Sequence, residues 1–155
     1  MQTQQDIAST RMNRLVLIKS LTLAGALPFM VACALKLGWF SFAGVDADNW
    51  LWTYALVISA FMAGSHWGIA IKSGDRLALL ASNGFALAIF GVAVWLRTPL
   101  GIGLLILLFA AQLLVDRRLL ALALIAPVYW RLRLRVTSIV CFMLAAYLMI
   151  AIGLA

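Results

Sequence analysis

Residues 59–73 read Ser-Ala-Phe-Met-Ala-Gly-Ser-His-Trp-Gly-Ile-Ala-Ile-Lys-Ser and hold the only histidine of the chain, His66, inside an apolar run. On a helix, Ala60, Gly64 and Gly68 recur every four residues and form a stripe of small side chains, which predicts close contact with another span. His66 points away from this stripe, because it lies two positions from Gly64 at about 100° per residue. The face that it shares also carries Ser59, Met62, Ile69, Ala70 and Ser73. This stretch predicts a membrane helix with one packing edge and a separate edge that bears a titratable group.

The composition of the whole chain places it in a membrane. Of its 155 residues, 66% are hydrophobic and 11% are charged, whereas a soluble domain has roughly 45–50% apolar and about 25% charged residues. The chain has room for about five spans of roughly 20 residues with short loops, and for no soluble domain. We therefore predict an all-α fold, a single polytopic membrane helical bundle over residues 14–155 that follows a polar tail at residues 1–13.

Apolar runs predict five transmembrane helices. They cover residues 15–35, 50–71, 77–96, 100–115 and 136–155. Residues 119–130 are also apolar, but at about 18 Å of helix they are too short to cross a ~30 Å hydrocarbon core. The segment 119–134 is therefore expected to lie in the membrane interface or to re-enter the bundle before the last span. Asp48 or Asn49 is expected to cap the second helix.

The first span contains a proline and allows a second interpretation. Pro28 should kink the helix unless a neighbouring helix packs against it and satisfies the freed carbonyl. The alternative is a signal peptide, because the span has a basic start and its sequence Met30-Val31-Ala32-Cys33 loosely resembles a lipoprotein cleavage box.

Lysines and arginines predict the orientation in the membrane. Only Lys36 and Arg97 fall on one side of the predicted spans. The other side carries Arg11, Arg14, Lys19, Lys72, Arg76, Arg117, Arg118, Arg131, Arg133 and Arg135. The positive-inside rule makes this second side cytoplasmic, with the amino terminus inside and the carboxyl terminus in the periplasm of a bacterial inner membrane. The net charge of +7 is then explained by topology and anionic lipid headgroups, and no nucleic-acid partner is expected.

The residues that could bind metals or perform catalysis are few. Cys33 and Cys141 are expected at depths about 16 Å apart, too far for a disulfide, which needs Cα atoms within about 7 Å. One histidine and two cysteines at different depths do not make a three-ligand metal site, and no second axial ligand for haem faces His66. The sequence has no serine–histidine–acid pattern, phosphate loop or paired carboxylates. We therefore expect no metal, no cofactor and no enzyme activity.

Several landmarks resemble one family. They are Leu27-Pro28-Phe29, Tyr54, the stretch from Phe61 to Gly68, Asp116, and Pro127-Val-Tyr129-Trp130-Arg131-Leu132-Arg133 followed by Val136-Thr137. Together they resemble the small bacterial membrane proteins grouped as a domain of unknown function, whose mitochondrial relatives include transmembrane protein sixty-nine. The resemblance implies an integral inner-membrane protein and supplies no established activity. Where an early proline and tryptophan are expected, this chain has Ser82-Asn83-Gly84-Phe85, so the third span is expected to pack differently.

His66 is the first candidate for a functional residue. It lies about 9 Å along the helix from Lys72, in the half of the bilayer nearer the predicted cytoplasmic side. It is interpreted either as a packing histidine bonded across helices, or as a proton relay, a metal or haem ligand, or a contact for a lipid or quinone headgroup. We expect His66 to meet Asp116, which follows the fourth span on the same side. Pairing would favour the charged imidazole, whereas burial alone would favour the neutral form.

The segment before the last span supplies the other candidates. These are Tyr129, Trp130, Arg131 and Arg133, and the motif of the second span adds Trp67. The arginines alternate with leucines, so they either anchor the topology or bind acidic lipid headgroups or an acidic loop of a partner.

Two functions remain open at this point. In the first, the protein is a non-enzymatic accessory or assembly factor that packs against membrane lipids, a membrane-protein partner or a second copy. In the second, it is a small proton-coupled transporter or proton path that uses His66 and Asp116. Transporters commonly show an inverted repeat, and the absence of an internal repeat together with an odd number of predicted spans favours the first.

Overall fold

The computed structural model describes residues 16–17, 20–21 and 24–153. Within them it forms five helices, which we number in chain order: α1 Leu27–Lys36, α2 Ala47–Ser73, α3 Arg76–Trp95, α4 Pro99–Ala121 and α5 Pro127–Gly153. The described residues contain no strand. The helices α2 to α5 are each long and apolar enough to cross a membrane, so by length and composition this is a multi-pass membrane protein.

The predicted first span is only partly described. Its second half is α1, which has 10 residues and a length of about 15 Å, half of a ~30 Å core. The rest of the span, like the polar tail at 1–13, lies wholly or partly outside the described residues. The lipoprotein cleavage box falls inside α1, at Met30–Cys33.

Short connections make α2 to α5 alternate in direction, which gives the bundle two distinct ends. We call one the basic end. It holds the carboxyl ends of α2 and α4 and the amino ends of α3 and α5. The other, the Lys36 end, holds the carboxyl ends of α1, α3 and α5 and the amino ends of α2 and α4. The Arg118 side chain bonds to Asp75 across the basic end at 2.9 and 3.0 Å, which confirms that these helix ends are neighbours.

Pro28 begins a helix instead of kinking one. It lies in the first turn of α1, where its missing N–H removes no helical hydrogen bond. The carbonyl of Gly25, in the turn before α1, accepts a hydrogen bond of 2.8 Å from the Tyr54 hydroxyl. The indole N–H of Trp50 donates to the Pro28 carbonyl at 3.1 Å. Side chains of α2 therefore donate hydrogen bonds to the backbone carbonyls around Pro28. A proline within a membrane span is tolerated when a neighbouring helix supplies such donors.

The turn residues set the ends of α2 and α3. The cap of α2 is Asp46, whose carboxylate accepts from the Asn49 N–H at 2.7 Å, so the expected cap at Asp48 or Asn49 was wrong. Gly74 ends α2 with a φ of 72°, a left-handed conformation that glycine adopts without strain. Asp75 then caps α3. The pKa of Asp75 lies below its ordinary value, because the Ala78 N–H donates to its carboxylate. The side chain of Arg118 bonds to the same carboxylate and lowers the pKa less strongly.

The prediction of an interfacial or re-entrant segment at 119–134 was wrong. Its first residues end α4 at Ala121, and its last residues from Pro127 onward are the start of α5. Between them Ala123 adopts a φ of 57°. Its N–H bonds to the Leu120 carbonyl, and the Leu124 N–H bonds to the Leu119 carbonyl, both at 2.9 Å. This pair of bonds is a Schellman motif, which ends α4 within one turn and lets α5 begin at once.

The core fills the space between the helices and requires one very small residue. The short helix α1 contacts both α2 and α5, which do not themselves pack backbone to backbone, and it contributes Phe29 and Ala32 to the core. Gly101, in the first turn of α4, is buried. A Cβ atom there would overlap the Leu96 carbonyl and lie 2.6 Å from Cη2 of Trp52. The start of α4 can therefore approach the end of α3 and the side of α2 only because residue 101 is glycine.

Gly101→Ala should lower the free energy of unfolding by about 1–3 kcal/mol or more, because backbone atoms must move to admit the methyl group. Thermal unfolding in detergent micelles measures the change. Gly103→Ala, two residues further along the same helix, is the matched control, since nothing lies within 4 Å of a Cβ there. It should leave stability unchanged or raise it by up to about 1 kcal/mol. Equal effects of the two substitutions would contradict this assignment.

Candidate functional site

Asp116 is the centre of a buried polar network. Its side chain has 0% of its surface exposed, although it lies on α4 inside a bundle of apolar helices. One carboxylate oxygen, Oδ1, lies 2.8 Å from Nε2 of His66 on α2. The other, Oδ2, accepts a hydrogen bond of 2.7 Å from Nε of Arg133 on α5. The predicted meeting of His66 and Asp116 is thus confirmed, and Arg133 is a third member that the sequence did not place there.

Arg133 joins the carboxylate to two further acceptors. It is 7% exposed, and its Nη2 donates to the backbone carbonyl of Met62 at 2.9 Å and to Oε1 of Gln112 at 3.2 Å. The remaining nitrogen, Nη1, has no hydrogen-bond partner among the described residues. The guanidinium therefore holds α5 to both α2 and α4 with charge-assisted bonds.

Polar side chains extend the network by one turn in each direction. Toward the Lys36 end, the Gln112 amide reaches the carbonyl and hydroxyl of Ser59 at 3.3 and 3.4 Å. Toward the basic end, the Tyr129 hydroxyl donates to Oγ of Ser65 at 3.2 Å, and Ser65 donates to the Met62 carbonyl at 2.7 Å. The result is a file of polar groups that runs inward from the basic end.

The charges of the network cancel. The Asp116 carboxylate and the Arg133 guanidinium are paired, so their opposite charges cancel. An unpaired buried charge would be far more costly in this apolar setting. Nδ1 of His66 has no hydrogen-bond partner among the described residues, and neither has the Thr137 hydroxyl.

The network lies within one half of the bundle. Asp116 is five residues before the end of α4 and Arg133 six residues after the start of α5, which puts both about 8–9 Å inside the basic end. Beyond Ser59 and Gln112 the core becomes apolar, with Ala55, Phe109, Val140 and Leu144 all buried. The polar file therefore stops near mid-bundle.

The helix α3 supports the site through Ser82 and Phe85, which belong to the stretch where an early proline and tryptophan are expected. The Ser82 hydroxyl donates to the Ala63 carbonyl of α2 at 2.8 Å and is buried. The ring centroid of Phe85 lies 6.2 Å from that of His66. Ser82 and Phe85 therefore fix α3 against the histidine-bearing face of α2.

Other predicted site residues are not part of the network. Trp67 is 49% exposed on the outside of α2, and Arg131 is exposed on α5. Trp130 is partly buried and packs against a small cluster at the basic end that includes Leu119 and Ile125. Trp67, Trp130 and Arg131 therefore lie outside the hydrogen-bonded network around Asp116.

Ser59 and Gln112 are site residues that the prediction missed. Ser59 was placed on the His66 face without a role. Gln112 carried a readable signal, because it is a lone amide in an apolar run four residues before Asp116, and residues four apart share a helix face.

The small-residue stripe does not pack inside the bundle. Ala60, Gly64 and Gly68 are all exposed, and nothing described lies within 4 Å of a Cβ at either glycine. The predicted contact with another span of this chain was therefore wrong. Because His66 bonds to the buried carboxylate of Asp116, α2 turns its His66 face inward and presents the stripe outward.

A second polar cluster occupies the Lys36 end. Lys36 bonds to both oxygens of Asp48 at 3.0 and 2.9 Å, and the Tyr147 hydroxyl donates to the same carboxylate. Arg97 bonds to the neighbouring Asn49 at 2.6 Å. The two cations that the sequence separated from the others thus both hold the start of α2.

The described residues contain no group of three histidine, cysteine, aspartate or glutamate side chains that could hold a metal ion. Cys33 and Cys141 are both free thiols. Their expected separation of about 16 Å in depth was wrong, because the Cys33 thiol lies 3.9 Å from the carbonyl of Met143, which is only two residues from Cys141.

Comparison with known protein families identifies the chain. The family described as "Protein of unknown function (DUF3429)" matches residues 16–149, which include every residue of the network. The chain belongs to this family. No curated protein and no solved structure matches the chain.

Asp116→Asn should lower the free energy of unfolding of this DUF3429 protein by about 3–5 kcal/mol, because it leaves the Arg133 charge buried without an opposite charge. Combining Arg133→Met with Asp116→Asn removes both charges. The double variant should therefore be more stable than the sum of the two single losses predicts, by more than about 0.5 kcal/mol. Unfolding in detergent micelles, followed by circular dichroism, measures all three.

The control for this cycle is Arg118→Gln. Arg118 pairs with Asp75, but its side chain is 38% exposed, and such a pair contributes only about 0–1 kcal/mol. Strict additivity of the Asp116 and Arg133 substitutions would refute the coupling.

Proposed function

We propose that this DUF3429 protein is a non-enzymatic accessory or assembly factor, which holds a membrane-protein partner or a second copy of itself against the outer face of α2. The observation that carries the proposal is the outward position of Ala60, Gly64 and Gly68. Small residues at every fourth position let two helix backbones approach closely inside a bilayer. Exposed Phe61 and Trp67 flank the stripe on the same face, so a partner helix would meet a shallow groove between two aromatic rings.

The buried network supports a structural role over a chemical one. Both oxygens of Asp116 are occupied, and its charge is matched by Arg133. The polar file ends at Gln112 and Ser59, and buried apolar side chains such as Phe109 and Leu144 fill the core beyond it. An arrangement of this kind fixes helix positions and provides a rigid base for the α2 surface.

The membrane and the orientation belong to the same proposal. The basic end has most of the described lysines and arginines, which supports a cytoplasmic location for that end in a bacterial inner membrane. Because α5 ends at the Lys36 end, the carboxyl terminus would then be periplasmic and the amino terminus cytoplasmic. Kinship with mitochondrial transmembrane protein sixty-nine is likewise a proposal, which rests on the sequence landmarks alone.

A photo-crosslinking amino acid at Gly64 should form a covalent product with a membrane protein or with a second copy in intact membranes. The same crosslinker at Ala145, an exposed position on α5, should not. Gly68→Leu should abolish the Gly64 product by filling the groove. It should leave the thermal midpoint of the purified protein unchanged, because nothing described lies near Gly68. Crosslinks to lipid alone, or equal protein crosslinks from both positions, would refute the proposal.

A proton path is the second candidate, and one observation favours it. Nδ1 of His66 and the Thr137 hydroxyl are buried without partners among the described residues, which leaves acceptors for a proton or a water molecule. Proton flux into vesicles that contain the purified protein, measured with a pH-sensitive dye, tests it. Flux that His66→Gln abolishes would support this second candidate, and no flux above that of empty vesicles would eliminate it.

A further inference from the structure

A groove opens on the side of the bundle between α2 and α5. The helix α1 packs against both of them, and described residues before it border the groove toward the basic end. Below it lies an elongated cavity of about 410 Å³, which Gly25 and Leu21 border on the α1 side. Its walls are mainly apolar, with Ile58, Phe61 and Met62 on α2 and Leu132, Val136 and Val140 on α5.

The length of the groove fits one leaflet of a bilayer. Along α5 it runs from Tyr129 to Val140, which is about 16 Å of helix. The hydrocarbon core is ~30 Å thick, so a single leaflet is about half of that. The groove begins near the basic end and stops close to mid-membrane, which is the depth that one acyl chain occupies.

An unused hydrogen-bond donor lies at the inner wall of the groove. Arg133 is among the lining residues and is more than nine-tenths buried. Its Nε and Nη2 are bonded within the network, whereas Nη1 has no partner among the described residues. Because Asp116 already neutralises the guanidinium, the group that Nη1 calls for is a neutral acceptor, such as an ester carbonyl.

Positive charge surrounds the open end of the groove. Of the cations at the basic end, Arg118 pairs with Asp75 and Arg133 with Asp116. The others are exposed and form no salt bridge with the described residues: Lys72, Arg76, Arg117, Arg131 and Arg135. Each cation near an anionic membrane surface contributes about 1 kcal/mol of attraction, so a negatively charged headgroup is favoured here. Of these, Lys72 lies on the groove face of α2, in line with Ile58 and Ser65, whereas Arg131 and Arg135 lie on the side of α5 turned away from the groove.

We propose that this groove binds one acyl chain of an anionic phospholipid. The chain lies between α2 and α5, its ester carbonyl accepts a hydrogen bond from Nη1 of Arg133, and its phosphate lies toward Lys72 at the basic end. This binding site shares Phe61 with the surface proposed for a protein partner, but its other walls lie away from the α2 stripe, so it does not depend on that partner.

Native mass spectrometry of the protein, purified with an equimolar mixture of phosphatidylglycerol and phosphatidylcholine, tests the site. We expect one phosphatidylglycerol to be retained in preference to phosphatidylcholine. Ile58→Trp, which fills the groove, should reduce this retention by about tenfold or more. Val57→Trp is the matched control, because Val57 is the adjacent residue and is exposed outside the groove. Equal retention by the two variants would overturn the assignment of the chain to the groove.

The headgroup is tested by removing equal charge at two places. Lys72→Gln should reduce the preference for phosphatidylglycerol by about fivefold, whereas Arg131→Gln, at the same end of the bundle but on the side of α5 turned away from the groove, should leave it in place. A preference that both substitutions reduce equally, or no preference in the unaltered protein, would show that the binding of an anionic headgroup at the groove is wrong.

A photoreactive acyl chain on phosphatidylglycerol tests the unaltered protein and so does not depend on any variant folding. Peptide mapping should find crosslinks concentrated at Ile58 and Val136 relative to Leu87, which is 71% exposed on α3. Uniform labelling of all exposed faces would contradict the proposal.

Discussion

Asp116 carries a carboxylate with no exposed surface inside a bundle whose outer faces are apolar, and this group constrains much of the structure. A buried carboxylate is tolerated only when opposite charge and hydrogen bonds surround it. His66 from α2 and Arg133 from α5 supply them, one to each oxygen. The rotation of three helices about their own axes is thereby fixed, because each must turn one particular residue toward a common point. A rotation that released Asp116 or Arg133 would leave the other buried with an unmatched charge, and one that released His66 would remove a hydrogen-bond partner of the carboxylate.

The same constraint explains features of the bundle far from the carboxylate. Because α2 turns His66 inward, its small residues and Trp67 must face outward. Arg133 reaches across to the Met62 carbonyl and Tyr129 to Ser65, so long side chains of α5 bridge the space to α2 in this half of the bundle. That bridge leaves the lateral groove below α1. At the Lys36 end a second carboxylate, Asp48, ties α1, α2 and α5 together through Lys36 and Tyr147, so polar contacts join the helices at both ends of an apolar middle.

The sequence predicted helix positions well where charge and apolar periodicity agree, and failed where a charge is buried. His66 and Asp116 could be paired from their distances to the ends of antiparallel helices. The role of Arg133 was not predicted, because it alternates with Arg131 and Arg135. It lies three residues before Val136 and seven before Val140, however, and these spacings put it on the core face of α5. Reading Asp116 as the end of a span made α4 too short. The true end of α4 was missed because the left-handed position is Ala123, where glycine is the usual signal. Small-residue spacing predicted contact with another span, but the stripe faces outward and touches no described residue.

Hydrogen exchange at the arginine side chains tests the central claim most directly. With ¹⁵N-arginine in detergent micelles, the account predicts one Nε–H resonance, that of Arg133, which exchanges with D₂O much more slowly than those of exposed Arg131 and Arg135. Slow exchange is expected because the Arg133 Nε–H donates to Asp116 in a site that excludes water. The slow resonance should be absent from an Arg133→Lys variant, which assigns it, and should lose its protection in Asp116→Asn. Exchange of every arginine Nε–H at the rate of the exposed ones would contradict a buried Asp116–Arg133 pair.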